Sequence, residues 1–137
     1  MSSFKVFDIA GSGMSAQNLR MNLVASNLAN VDAVSSSTAG TYRSRQPVFQ
    51  TVLDQQNPRG AATGVRMTGV VESPAPLTRE HAPHHPMADG DGYIYRPNVN
   101  PVEEMANMVS ASRSYQNNVE VINAARQMLA ALINLGR

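Results

Sequence analysis

Apolar residues recur in alternating steps of three and four near both ends of the chain. The first run, between residues 3 and 31, has one polar member, Gln17, and the apolar members Phe7, Ala10, Met14, Met21, Val24, Leu28 and Val31. The second run, between residues 101 and 135, has the polar member Asn118 and the apolar members Met108, Ala111, Tyr115, Ile122, Ala125, Leu129 and Leu132. This spacing is typical of a coiled-coil seam. We therefore predict two long helices that pack against each other as an antiparallel pair through these side chains.

The second predicted helix has clear start and stop signals. Asn100 can cap it, Pro101 suits the first helical position, and Glu103 completes an arrangement similar to a capping box. Gly136 suits the position just past its end. The first helix is less regular at residues 11–13, because each of the two glycines there costs about 1 kcal/mol relative to alanine. One alternative is a break at this point, with Ser12 as the cap of the longer part.

The middle of the chain has the composition of loops and short strands. Residues 34–40 are rich in serine and predict a loop, and three short β-segments are expected at 47–52, 65–72 and 93–96. Four prolines between residues 74 and 86 favour extended chain without regular structure. The predicted fold is mainly α with a small β region. Its parts are an N-terminal helix (1–31), a loop-rich middle segment (32–100) and a C-terminal helix (101–137).

Composition excludes several classes of function. The 137 residues suffice for one domain, and the 11 basic and 10 acidic residues give no electrostatic footprint for nucleic acid or an anionic membrane. Without cysteine there are neither disulfides nor thiolate metal sites. No apolar run is long enough to cross a bilayer, and the first residues lack the pattern of a secretory signal. We therefore expect a product without a cleaved signal, whose export, if any, uses another route.

Both predicted helices are apolar on more than one side. The first contains only Lys5, Asp8 and Arg20 as charged residues, and both helices carry apolar side chains outside the seam. A helix with several apolar sides needs several neighbours, which one partner helix cannot supply. We predict a subunit interface formed by two asparagines and the apolar residues that flank the seam: Ile9, Leu19, Leu23, Asn27, Asn30, Val121, Met128 and Leu135. The alternative is an ordinary helical bundle whose middle segment covers the helices.

The two polar seam residues suggest a device that fixes the register. If residue 7 lies opposite residue 132, Gln17 faces Ile122 and Asn118 faces Met21, one layer apart. We hypothesise that the amides of Gln17 and Asn118 bond to each other, as buried polar seam residues can.

Motifs of catalysis or metal binding are weak. His81, His84 and His85 lie in a proline-rich stretch without helical spacing, which favours an exposed loop over a metal site. Residues 89–92 are similar to the start of a calcium loop but lack its later ligands, so a turn is expected. Glu103 and Glu104 adjoin at a helix N-terminus, where the helix dipole stabilises them. We expect no cofactor, no metal and no enzymatic activity.

Several segments resemble the flagellar axial proteins of bacteria, the family of rod, hook and hook-junction subunits. Residues 25–31 (ASNLANV) are similar to the N-terminal signature of that family. Residues 7–12, 42–50, 85–89 and 92–93 resemble its proximal rod subunits. So do residues 97–100, Glu104-Met105, 110–116 and 118–121, which form the most specific match. Together these segments cover nearly the whole chain in the family's order.

The resemblance implies a structural subunit of the flagellar basal-body rod. Its terminal helices would pair antiparallel along the inside of a hollow driveshaft, with the middle segment outside. Implied partners are copies of the same chain, other rod and basal-body proteins of the FlgB, FlgF, FlgG and FliE types, and the flagellar type III export apparatus in transit. Nucleic acid and membrane insertion are not implied. The alternative from another class is a soluble export chaperone or adaptor that binds partner helices.

Overall fold

The computed structural model describes residues 3–53 and 62–136. Along the chain, one long helix precedes four strands and a second long helix follows them. The elements are α1 (Ser3–Ala29), β1 (Arg45–Leu53), β2 (Ala62–Glu72), β3 (Thr78–His81), β4 (Tyr93–Arg96) and α2 (Pro101–Leu135). The expectation of two terminal helices that pack together beside a small antiparallel β region is confirmed.

The two helices run antiparallel and approach each other through small side chains. Gly13 of α1 lies against the Asn118 amide of α2, and the guanidinium of Arg20 donates a 2.9 Å hydrogen bond to Asn107 Oδ1. The buried apolar residues of the helices are mostly alanines, which permit a short distance between the backbones: Ala10, Ala16, Val24, Ala111 and Ala125. The helix pair therefore has a narrow core, and larger apolar side chains lie at its margins.

Helix α1 is continuous through residues 11–13, which decides against the alternative of a break at this point. Ser12 does not cap a helix. Its hydroxyl donates to the Ile9 carbonyl (2.8 Å) and accepts from the Val65 backbone N–H of β2 (3.1 Å). The serine thus attaches the β-region to the middle of α1, and the adjoining packing supports the helix where glycine weakens it.

The predicted start of α2 is confirmed, and its end differs in detail. The Asn100 side chain accepts hydrogen bonds from the N–H groups of Val102 (3.1 Å) and Glu103 (3.4 Å), with Pro101 next in the first turn. Gly136 follows the last helical residue, but its φ of −90° is not the left-handed conformation that a C′ glycine supplies.

Strands β1 and β2 form an antiparallel hairpin that lies along α1. The pairing runs from Arg45 opposite Glu72 to Leu53 opposite Ala62, with irregularities after Val48 and Val52. Gly64 of β2 packs on Ser12 so closely that an added Cβ would lie 2.7 Å from the Ser12 hydroxyl. The predicted strands at 47–52 and 65–72 are present and are somewhat longer than expected.

Strands β3 and β4 form a second antiparallel pair, from Thr78 opposite Arg96 to His81 opposite Tyr93. The expectation of extended chain without regular structure between residues 74 and 86 is therefore wrong for β3. Proline lacks an N–H group but does not prevent the intervening residues from pairing as an edge strand. Ser35, in the loop after α1, exchanges two backbone hydrogen bonds with Tyr95, and this bridge ties the small sheet to the loop.

The two helical glycines of α1 lie in different surroundings and allow a paired test. A methyl group at Gly11 meets nothing within 4 Å, whereas one at Gly13 lies 2.9 Å from Asn118 Nδ2. We expect Gly11→Ala to raise the free energy of unfolding by about 1 kcal/mol, because alanine is the better helix former. Gly13→Ala gains less, since the Asn118 amide must shift. Urea denaturation of the full chain measures both, and equal gains would contradict this account of the helix contact.

Candidate assembly site

Apolar side chains are exposed in the first turns and in the second half of α2. Exposure is high near its start, where Val102 is 70% exposed, and reaches 83% at Leu135 near its end. Between them lie further apolar residues that are about half exposed or more: Met105, Val109, Val121, Met128, Leu132 and Ile133. We call these eight residues the outer face of α2. They fall into two groups, at residues 102–109 and 121–135, with no exposed large apolar side chain between residues 110 and 120. Exposed apolar groups of this kind on a chain with few charges mark sites of protein association.

An apolar cavity adjoins the outer face where α1 begins. It has a volume of about 280 Å³ and lies between Val6 of α1 and the side chains of Val121, Ala124, Met128 and Leu132 of α2. Its lining is almost wholly aliphatic, so a ligand for it would be an apolar side chain rather than a charged group.

Helix α2 continues past the start of α1 because the two helices differ in length. Gly13 is 16 residues from the end of α1, and its neighbour Asn118 is 17 residues from the start of α2. The helices are therefore level at that end, and the surplus of α2 (35 against 27 residues) projects at the other end by about 12 Å. Leu132, predicted on the intrachain seam opposite residue 7, lies on this projection and is 62% exposed.

The other predicted seam residues are buried to different degrees, and Val31 lies in the turn after α1. Val24 is buried. The remaining ones are half-buried: Phe7, Met14, Met21, Leu28, Val31, Met108, Tyr115, Ile122 and Leu129. The alanines of the two helices are thus more deeply buried than most of the larger seam residues.

The predicted register pair is not formed. Gln17 Oε1 is buried without a hydrogen-bond partner, and the Asn118 amide lies against Gly13 instead. The pairing assumed for this bond is displaced by about two helical turns from the observed one. A heptad seam can pair in more than one register, and close approach of the glycine and alanines favours the register seen here.

The predicted interface residues have different surroundings. Ile9, Leu19, Val121, Met128 and Leu135 are exposed, and Leu23 is half-buried. The half-buried Asn30 donates a 2.8 Å bond to the Ser26 carbonyl within its own chain.

The placement of Asn27 on the subunit interface is wrong for this structure, because the residue is 1% exposed and its hydrogen bonds lie within the chain. Its Oδ1 accepts from the Tyr42 hydroxyl (2.8 Å) and the Arg45 backbone N–H (2.9 Å). Its Nδ2 donates to the Arg45 carbonyl (2.9 Å) and, at 3.4 Å, to Ser44 Oγ. The amide therefore serves as a backbone-like partner for the chain entering β1.

Ser44 extends this network to α2. Its N–H donates to Asn98 Oδ1 (2.8 Å), and its hydroxyl donates to Glu104 Oε1 (3.4 Å). The Asn98 amide in turn donates to the carbonyls of Ser73 (3.2 Å) and Ala75 (2.9 Å). We call Asn27, Ser44, Asn98 and Glu104 the polar junction. It connects the end of α1, the base of the hairpin and the start of α2, and so fixes the direction in which the helices leave the β-region.

Comparisons with known proteins match segments that contain most of α1 and all of α2. Residues 7–35 match the model of the flagella basal body rod protein family, and residues 91–135 match that of the flagellar basal body rod FlgEFG protein C-terminal family. The chain is 44% identical over 137 residues to the flagellar basal-body rod protein FlgC of Salmonella typhimurium, with complete coverage of both chains. It is 45% identical to that of Escherichia coli O157:H7 and 30% identical to that of Bacillus subtilis, again over the full length of both chains.

The chain belongs to the FlgC family of flagellar basal-body rod proteins. It is thus a structural subunit of the flagellar basal body that assembles with other rod proteins, and its relatives are not enzymes.

No helix in the described part of this FlgC-family chain is long and apolar enough to cross a membrane.

Sequence reasoning missed most of the polar junction of this FlgC-family chain. Ser44 and Asn98 lie in loops, where isolated polar residues carry little signal. At Glu104 the only physical role that the sequence analysis gives is stabilisation by the helix dipole, although the residue lies four positions before Met108 and seven before Ala111. That spacing continues the seam, and a carboxylate at a seam position signals a buried polar contact.

The histidine and aspartate segments take part in local structure. Among residues 3–53 and 62–136 no three His, Asp or Glu side chains are placed to hold a metal ion. His81 packs against the Tyr93 ring (4.8 Å between centroids), and His85 Nδ1 accepts from the Met87 N–H. Residues 89–92 form the expected turn, in which Gly92 has a positive φ of 81°.

The carboxylate of Asp89 organises that turn. It accepts hydrogen bonds from the backbone N–H groups of Tyr93 (2.8 Å) and Asp91 (3.0 Å). The bond from Tyr93 is the largest cause that lowers the pKa of Asp89 from its ordinary 3.8, and desolvation opposes it. The bond from Asp91, the charge of Arg79 and the Tyr95 hydroxyl lower the pKa further.

Replacement of Asn27 tests the polar junction. Asn27→Ala leaves the Arg45 N–H and the Tyr42 hydroxyl without their acceptor, so we expect the free energy of unfolding to fall by about 2–4 kcal/mol. The matched control is Asn22→Ala on the exposed side of the same helix, with an expected change within about 0.5 kcal/mol. Urea denaturation followed by circular dichroism measures both. Equal effects of the two substitutions would show that the junction contributes nothing specific.

The pKa of Asp89 predicts a pH dependence. Because this pKa is lower in the folded chain than in the unfolded chain, the ionised carboxylate adds stability above about pH 3.8, and the contribution is lost as the pH falls through the folded pKa. Asp89→Asn keeps the acceptor oxygen without titrating. The advantage of the parent chain over this variant should therefore shrink between about pH 5 and pH 3. An Asp89 carboxyl resonance that titrates above pH 3.8 in NMR would overturn this assignment.

Proposed function

We propose that this chain is a subunit of the hollow driveshaft of the flagellum, which transmits torque and lets exported subunits pass. In this proposal α1 and α2 form the inner part of the shaft through coiled-coil-like packing, and residues 32–100 lie outside. The observation that carries the proposal is the exposed apolar outer face of α2.

The outer face supports assembly through burial of apolar side chains. Burying a fully exposed apolar side chain contributes roughly 1.5–3 kcal/mol, so a few such residues supply the free energy of a stable contact. The helices carry few charges, which keeps the desolvation cost of such a contact small. Tightly packed helices also resist shear, because packed interiors have few alternative arrangements, and a torque-bearing shaft needs this property.

The partners we propose are copies of the chain and other rod and basal-body proteins of the FlgB, FlgF, FlgG and FliE types. Ile9, Leu19, Leu23, Val121, Met128 and Leu135 are the proposed contact residues. Transit would use the flagellar type III export apparatus without a cleaved signal peptide. The chaperone alternative has no support in the comparisons, since the matched relatives are rod proteins.

A charge on the outer face tests the proposal. Met128 is 64% exposed, so Met128→Glu leaves the intrachain core intact and places a charge in the proposed contact. We expect unchanged helix content by circular dichroism and at least a tenfold loss of the chain from isolated basal bodies. The matched control, Asn123→Asp, adds the same charge at an exposed polar position of the helix. Normal incorporation of Met128→Glu would contradict the proposed role of the outer face.

A further inference from the structure

Glu104 is the charged member of the polar junction, and the hydrogen bonds around it do not balance its charge. The residue is 5% exposed. Its Oε1 accepts one long bond from Ser44 Oγ (3.4 Å), and its Oε2 is buried without a donor. A buried carboxylate ordinarily accepts several charge-assisted bonds of about 2.7–2.9 Å, and an unpaired buried acceptor is costly. The positive end of the α2 dipole offsets part of this cost.

Glu104 forms part of the wall of a cavity of about 420 Å³ between α1, β1 and the first turns of α2. Val24, Pro47 and Phe49 supply apolar walls, and Glu103 lies at the same cavity. The volume suffices for one long side chain. Apolar walls around a carboxylate suit a lysine or arginine, whose methylene stem packs on the walls while the charged end reaches the acid.

The arginines of the cavity do not neutralise its two carboxylates. Arg45 pairs with Glu72 (3.5 Å), and Arg20 donates to the neutral amide of Asn107. In residues 3–53 and 62–136 no ion pair within 4.0 Å involves Glu103 or Glu104. The lining holds two arginines and two glutamates, but Arg45 is paired with Glu72 outside the cavity, so Arg20 alone remains opposite the two carboxylates.

We infer that this cavity receives a lysine or arginine side chain of a neighbouring rod subunit, whose cationic group pairs with Glu104. The inference rests on the proposed function, because it assumes a neighbour in an assembled rod. It differs from that proposal in chemistry, since the outer face buries apolar groups and this cavity binds a charge. A single inserted base would fix the neighbour's position relative to the junction of the helices and the hairpin, which apolar contacts alone leave less well defined.

Photo-crosslinking in assembled rods tests the inference. p-Benzoylphenylalanine replaces Phe49 at the cavity wall in cells whose rods contain the full-length chain, and mass spectrometry of isolated basal bodies identifies the crosslinked peptide. We expect a segment of a neighbouring subunit with a lysine or arginine within about four residues of the crosslink. A crosslinked segment that contains no lysine or arginine would overturn the inference. The chain in this experiment keeps the native Glu104.

Charge removal provides the second arm. Glu104→Gln keeps the shape of the side chain and should lower the crosslink yield at least tenfold, whereas Glu120→Gln, at an exposed position of α2, should leave it unchanged. Replacing the neighbour's base with glutamine should cause the same loss, and the double variant should lose no more than either single one.

The two proposals fail separately. The cation site would be refuted if Glu104→Gln gave the wild-type crosslink yield. If Met128→Glu were also lost from the rod, the proposed role of the outer face would still be supported. Normal incorporation of Met128→Glu would refute the outer face whatever the crosslinks show. If circular dichroism shows that Glu104→Gln does not fold, the test of the inference is the segment that crosslinks to residue 49 in the chain with native Glu104.

Discussion

The geometry of the chain depends on the buried amide of Asn27. A side-chain amide offers the same donor and acceptor as a peptide group, and Asn27 uses both on the backbone of Arg45, with a separation of 2.9 Å for each bond. The chain thereby turns from the end of α1 into β1 without leaving those backbone groups unpaired. Ser44 and Asn98 continue the connection to the chain before α2. Because these bonds join segments far apart in sequence, the two helices leave the β-region in a fixed direction.

The contact between the helices has a different character from the polar junction. Ala10, Ala111 and Ala125 bring the backbones close together, and Gly13 accommodates the Asn118 amide. Small residues make a narrow contact that buries little area per residue, so much of the apolar surface of α2 stays uncovered. A larger seam would satisfy the helices within one chain and leave less surface for assembly. The same alanines that permit close pairing thus preserve the outer face for neighbours.

The sequence was sufficient to predict elements that depend on local periodicity and caps. The heptad steps predicted both helices, and Asn100 with Pro101 predicted the start of α2, because these signals lie within a few residues of each other. The prediction of the helix register was wrong because the seam repeats every seven residues, so the pattern itself does not distinguish neighbouring registers. The sequence left open whether α1 breaks at residues 11–13, because the support for the continuous helix comes from the bond between Ser12 and Val65, which is 53 positions away along the chain. Asn27 was recognised as important but assigned to the wrong surface, since an amide in a motif does not reveal whether its partners belong to its own chain.

The difference in helix length explains where neighbours would be most needed. With the helices level at the polar junction, the surplus length of α2 lies at the far end, where Leu132, Ile133 and Leu135 have 62–83% exposure. Residues 127–135 contain no charge, so burying this end against another chain requires no loss of ion hydration. The two ends of the helix pair therefore suit different contacts. The end at the polar junction holds a carboxylate that favours a single specific base, and the projecting end favours any well-shaped apolar neighbour. In the proposed rod, the first contact would fix position and the second would supply most of the free energy of association.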